Sequence, residues 1–298
     1  MSPNDNKDCN EHGNDHGSKN GNKNGNKNGN KNGNDHRNKN EGANHNGNDH
    51  GNENANAGRS RSFSEPAGAF VVLGAGPGLG AAAARRFGRE GHPVGLIARD
   101  APRLERIAAG LTGARPATTG HAPADRPPAA PVRVATATAD VTDAKELAAA
   151  LATLRERLGP IEVVLFSPRP SLEWIKPVLD TTPSDVADAL ALSVVAATAA
   201  VSEVAPDMCR RGRGTLLFTT GGAAVHPHRD RAVSAIAYAA ESAYVHMLHE
   251  ALADDGVHAA QLTVVGPMGP GAHHEPDAVA DELWRLHTHR DQPLVVLR

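Results

Sequence analysis

Aromatic side chains are nearly missing: Phe, Trp and Tyr together make up 3 % of the 298 residues, with two tryptophans and two tyrosines. A core built without them must be filled by Ala, Val and Leu. Cysteine is as scarce. Cys9 lies in a polar stretch and Cys209 at a helix end, so no disulfide framework is expected and a reducing cytoplasm suits the chain. Neither sign of charge dominates, with 31 Lys and Arg against 34 Asp and Glu. The balance excludes a polybasic surface, so neither nucleic acid nor an anionic membrane is an expected partner. No apolar run of bilayer length is evident either, so no membrane span is expected.

What is plentiful at the start is Asn, Gly, Lys, His and Asp. The register Lys-Asn-Gly-Asn repeats from Lys19 to Asn34, and almost nothing in 1–62 is apolar. Such a segment cannot offset the entropy cost of ordering, so 1–62 is expected to be a disordered tail and 63–298 the folded domain. It has no apolar h-region and so does not read as a signal peptide. Its irregularly spaced histidines do not form a metal-ligand pattern, and no metal is expected anywhere in the chain.

The folded part is organised by FVVLGAGPGLGAAAARRFGREGHPVGLIARD, Phe70 to Asp100. A short apolar run, a glycine cluster, an Ala/Arg-rich helix and a second apolar run make one βαβ unit. Glycines at a strand-to-helix turn let a backbone approach a pyrophosphate at the helix N-terminus. Further on, a helix is expected at 101–111, ended by Gly110 and Gly113, and a Pro/Ala-rich connector at 115–131. Strands are expected at 132–138, 161–166, 215–219, 257–265 and 294–297. Helices are expected at 143–158, 184–211, 237–253 and 276–287. About seven strands alternating with helices predict an α/β fold, a Rossmann-type doubly wound parallel sheet in a single domain.

Gly74, Gly78 and Gly80 follow G-x-x-x-G-x-G, with Gly76 extra and Pro77 and Leu79 between. With that spacing the chain resembles the short-chain dehydrogenase/reductase family over nearly all of 70–298. The resemblance implies an oxidoreductase binding NAD or NADP through Gly74, Gly76, Pro77, Gly78, Leu79 and Gly80. It also implies adenine-side contacts from Asp140-Val141, and a loop after the fourth strand beginning at Ser167. Where an acid would bind a ribose 2′-hydroxyl the chain has Ala98 followed by Arg99, whose guanidinium suits a 2′-phosphate, so NADP is the expected cofactor.

The resemblance weakens beyond the adenosine half. Phe166-Ser167-Pro168-Arg169 stands where the family usually has Asn-Asn-Ala-Gly. Of the family's catalytic Asn, Ser, Tyr and Lys, only Tyr238 remains, with Ser193, Gly221 and Ser242 at the other three positions. The chain thus resembles an atypical member without the Ser and without the Lys of Tyr-x-x-x-Lys. Without that Lys, Tyr238 is a poor base at neutral pH but still a proton donor to an alkoxide. Thr220, His226, His228 and Glu241 are further candidates for support, and Trp174 for a substrate wall.

The expected function is reduction of a small carbonyl substrate by NADPH, with Tyr238 and Thr220 as catalytic residues. The alternatives are a non-redox enzyme on the same scaffold (dehydration, isomerisation or cyclisation) and a catalytically silent nucleotide-binding or assembly protein. The family habit of pairing its long helices implies a homodimer or homotetramer.

Overall fold

The computed structural model describes residues 66–113 and 131–298. The tail expected at 1–62 and nearly all of the connector expected at 115–131 lie outside them. Seven strands form one sheet: β1 (Ala69–Leu73), β2 (Val94–Ala98), β3 (Val134–Thr138), β4 (Ile161–Phe166), β5 (Gly214–Gly221), β6 (Val257–Val264) and β7 (Leu294–Leu297). Their order is β3-β2-β1-β4-β5-β6-β7, and each neighbouring pair is parallel. The chain winds outward in both directions from β1, so the order reverses between β1 and β4. That crevice is where open α/β sheets bind ligands.

Alternation of side chains along β1 builds both cores at once. Ala69, Val71 and Leu73 face α3 (Ala144–Leu158), α5 (Ala196–Arg211) and the end of α6 (Ala232–Leu252). Phe70 and Val72 face α1 (Leu79–Arg89), α2 (Ala101–Gly113) and α7 (Pro276–His289). The few aromatics divide between the faces, with Phe166, Phe218 and Tyr244 on the first and Phe70, Phe87 and Trp284 on the second. Phe70 and Phe87 stack at 4.0 Å, and half-buried Trp284 meets Phe87 edge-on at 5.1 Å. Arg85–Asp277 and Arg86–Asp281 pairs then tie α1 to α7.

The helices differ from expectation in instructive ways. Asp143 caps α3, its carboxylate accepting from the amides of Lys145 and Glu146. α2 continues through Gly110 to Gly113. α6 begins at Ala232, five residues before the expected start at 237, because Ala232 and Val233 are buried and extend its packed face. The helix expected at 184–211 has three parts. α4 (Pro183–Leu190) starts at a Thr182–Asp185 capping box, a π-turn spans Ala191–Val195, and α5 follows.

The expectation that no apolar run reaches bilayer length needs correcting for this segment. Pro183–Arg211 is 29 residues long and apolar enough to cross a membrane by length and composition. Alanine accounts for that, and Ala196, Ala197, Ala200, Val201 and Val204 are buried on the sheet.

Candidate active site

Gly74 is the pivot of the nucleotide turn. It has φ +86°, and a Cβ there would lie 2.5 Å from Pro168 Cα, so both the backbone conformation and the space admit only glycine. Gly80 is set by close approach as well: its Cβ would meet Ala75 Cα at 3.2 Å, where α1 leans on the end of β1. Around Gly76 and Gly78 there is open space. A ligand's phosphates have room there, beside amides at the start of α1.

A cavity of about 670 Å³ opens at the sheet's reversal point. Its walls are the carboxyl ends of four adjacent strands: 74–77 after β1, 98–100 after β2, 139–142 after β3 and 168–171 after β4. Of the residues expected to hold the cofactor, Gly74, Gly76, Pro77, Arg99, Asp140 and Val141 line it. Gly78, Leu79 and Gly80 do not. Leu79 is buried under the loop as the first residue of α1. Ser167 turns away, its hydroxyl accepting from Thr219 Oγ1 at 2.7 Å, while its neighbours Pro168 and Arg169 face the cavity. Size, open glycines and a phosphate-compatible turn fit a dinucleotide.

Arg99 is 77 % exposed and 3.7 Å from the Asp140 carboxylate. Bonds from the Thr142 amide and hydroxyl, more than Arg99, hold the Asp140 carboxyl below its ordinary range. Arg99 is therefore only loosely engaged. The far wall was less legible. Trp174, anticipated as a wall, and Asp188, Ala191 and Leu192 line the cavity from the segment after β4. The 188-191-192 spacing is one helical face, a signal hidden in an Ala-rich run.

Tyr238 lies on α6 facing the end of β5, where a Cβ at Gly221 would be 3.5 Å from its ring. Its hydroxyl makes no hydrogen bond to another described residue. Burial pushes its pKa up to about 12; the Glu241 carboxylate, when charged, adds to this and Arg231 opposes it. Glu241 is 2 % exposed, its Oε1 has no hydrogen-bond partner among the described residues, and burial raises its pKa well above the ordinary range. It does not hydrogen-bond Tyr238 and so does not orient it.

Ser242, four residues beyond Tyr238, donates back to the Tyr238 carbonyl at 2.8 Å and accepts from Gln261 Nε2 at 3.0 Å. The same amide donates to Thr220 Oγ1 at 2.7 Å, and Thr220 pairs with Thr263 at 3.0 Å. Thr220 is buried, with its hydroxyl engaged in this neutral network rather than with Tyr238. Gln261 had no motif to mark it. Ser193 is buried within the π-turn, a distortion frequent at functional sites.

His226 and His228 are exposed, and His228 lies 3.4 Å from Asp230. His274 bonds the Val265 carbonyl at 2.9 Å. Among the described residues no three His, Cys, Asp or Glu side chains are grouped to hold a metal.

A short-chain dehydrogenase from Rhodopseudomonas palustris is 22 % identical with a TM-score of 0.64, over 78 % of this chain and 98 % of its own. L-sorbose reductase from Gluconobacter frateurii, complexed with NADPH and L-sorbose, is 18 % identical with a TM-score of 0.65, over 78 % and 95 %. A Pseudomonas aeruginosa PAO1 short-chain oxidoreductase containing an atypical catalytic center is 16 % identical with a TM-score of 0.66, over 78 % and 95 %. These likenesses speak to the fold. No curated protein matches the chain. The family model for short chain dehydrogenase, however, matches residues 69–272, from β1 through the nucleotide turn and Tyr238 to beyond β6, and on that match the protein belongs to the short-chain dehydrogenase family.

Proposed function

We propose that the protein is an NADPH-dependent reductase of a small carbonyl compound, with Tyr238 as the remaining acid of a catalytic set that lacks the family's Ser and Lys. The observation that carries this is Tyr238 itself: a half-buried phenol with no protein partner among the described residues, kept protonated by its surroundings. Arg99 at the mouth of the cavity supports NADP, as do relatives crystallised with NADPH or NADP.

Gly74, Gly76, Pro77, Arg99, Asp140 and Val141 would hold NADPH in the cavity, where it would supply a hydride for the carbonyl carbon. Tyr238 donates its hydroxyl proton to the oxygen as negative charge develops there, and the C=O becomes CH–OH. The phenolate left behind, with a conjugate acid near pKa 12, takes a proton back from water. The reverse reaction needs phenolate first. Burial disfavours that phenolate at neutral pH, so the resting side chain is poised to donate a proton rather than to take one.

The test is NADPH oxidation with a panel of small and polycyclic ketones and aldehydes, for the parent and for folded Tyr238→Phe. Loss of at least about a hundredfold in the variant is expected. Full activity in Tyr238→Phe would remove Tyr238 from the mechanism.

A second reading has its own observation. The neutral Ser242–Gln261–Thr220–Thr263 network puts no cation at the family's Lys position, and Arg231 only partly opposes the burial of Tyr238, which favours a non-redox enzyme or a silent nucleotide-binding protein. NADPH binding without oxidation by any carbonyl in the panel would select it. We also propose a cytoplasmic homodimer or homotetramer paired through α4–α5 and α6, which leave Val195, Ile236 and Met247 exposed. A monomeric mass by light scattering at micromolar concentration would exclude the pairing.

A further inference from the structure

A second cavity, of about 500 Å³, lies between α1 and α2 next to the dinucleotide cavity. Four guanidinium groups line it: Arg85 from α1, Arg103 and Arg106 from α2, and Arg169 from the loop after β4. Pro77, Arg103 and Arg169 belong to both cavities, so the two are contiguous. Arg99 belongs only to the first.

The charges there are not cancelled. Arg85 is paired with Asp277 at 2.7 Å and Arg103 with Asp100 at 3.1 Å. Arg106 bonds only the Pro102 carbonyl of its own helix, and Arg169 makes no hydrogen bond or ion pair with any described residue. Two of the four thus have no carboxylate partner among the described residues. Like charges gathered from three separate elements repel one another, and an anion between them relieves that repulsion. Guanidinium forks match phosphate oxygens in geometry and stay charged at any working pH. Ile107, Gly110 and Leu111 complete an otherwise apolar wall, which strengthens the field inside.

We infer that this cavity is a phosphate site separate from Arg99, which binds a phosphate or diphosphate ester reaching between α1 and α2. Its occupant is the phosphate of a ligand other than the cofactor, held alongside it, which rests on the NADPH reading above.

Calorimetry at fixed ionic strength on the full chain tests this, using inorganic diphosphate, 2′,5′-ADP and 5′-AMP as probes and Arg106→Ala and Arg169→Ala as variants. Both arginines are exposed, so both variants are expected to fold. For a separate ester, diphosphate binds with NADPH already saturating, and each variant weakens it by about tenfold or more. If diphosphate instead competes with 2′,5′-ADP, and Arg106→Ala weakens 2′,5′-ADP while leaving 5′-AMP unchanged, the cavity holds only the cofactor's own phosphate and the inference is overturned. If diphosphate does not bind and neither variant alters 2′,5′-ADP, the inference is likewise overturned. Intact NADPH binding in that case would leave the reductase reading standing. Conversely, diphosphate binding that is lost in Arg106→Ala, with no NADPH binding at all, would sink the reductase reading and keep the phosphate site.

Discussion

Tyr238 and Glu241 sit one helical turn apart on α6, and burial pushes both toward their neutral forms. For Glu241 that has a consequence for stability. Its pKa is raised on folding, so its contribution is fully present below the unfolded value near 4.5. It is lost as pH rises toward the folded value, because only the unfolded chain then ionises freely. Glu241→Met, which removes a carboxyl with an unpartnered oxygen and keeps the bulk, is expected to gain about 1–3 kcal/mol at pH 8 and little at pH 4. Urea melts at the two pH values check it. A variant less stable than the parent at pH 8 would show that the carboxylate has a compensating interaction. Tyr238 was legible as a single surviving family residue. The isolation of Glu241 was not, because helical spacing places a side chain on a face without showing what faces it.

At the scale of elements, the nucleotide turn is the part where local chemistry and global fold agree. β2, β4 and β7 have the ends that their apolar runs and flanking breakers imply. Gly74 joins the ends of β1 and β2 to the loop after β4: its amide donates to the Ile97 carbonyl at 2.9 Å, and its close neighbours include the Ser167 carbonyl and Pro168. Gly74→Ala therefore combines a left-handed backbone with overpacking, and a loss of roughly 2–5 kcal/mol is expected. An unchanged urea midpoint would contradict that geometry. Elements whose ends depend on packing were harder to read. Gly110 does not end its helix because it stands in open space and the penalty of a glycine is only about 1 kcal/mol, and α2 runs on to Gly113. The π-turn at Ala191–Val195 was invisible, because one inserted residue in an Ala-rich run leaves no trace in its periodicity.

For the whole molecule, buried histidines set the acid limit of stability. His258 and His287 are held down to about 4 from 6.5, each chiefly by burial and next by a neighbouring histidine, His249 and His92 respectively. Both are neutral when folded, so they contribute stability above pH 6.5 that is lost as pH falls through the window from 6.5 to 4. A loss on the order of 2 kcal/mol per histidine is expected across that window. A denaturation midpoint that stays level from pH 7 to 4.5 would contradict it. The scarcity of aromatics foretold a core of Ala, Val and Leu, but not that Phe87, His92, Trp284 and His287 would gather beneath the sheet, since strand order alone brings them together. The same order brings the ends of β1, β2, β3 and β4 into one cavity with Arg99 at its mouth, and on this feature the cofactor half of the functional reading stands. Calorimetric titration of the full chain with NADPH and with NADH tests it most directly. NADPH is expected to bind at least about tenfold more tightly, with the order reversed in Arg99→Asp; equal affinity for the two, or binding of neither, would contradict it.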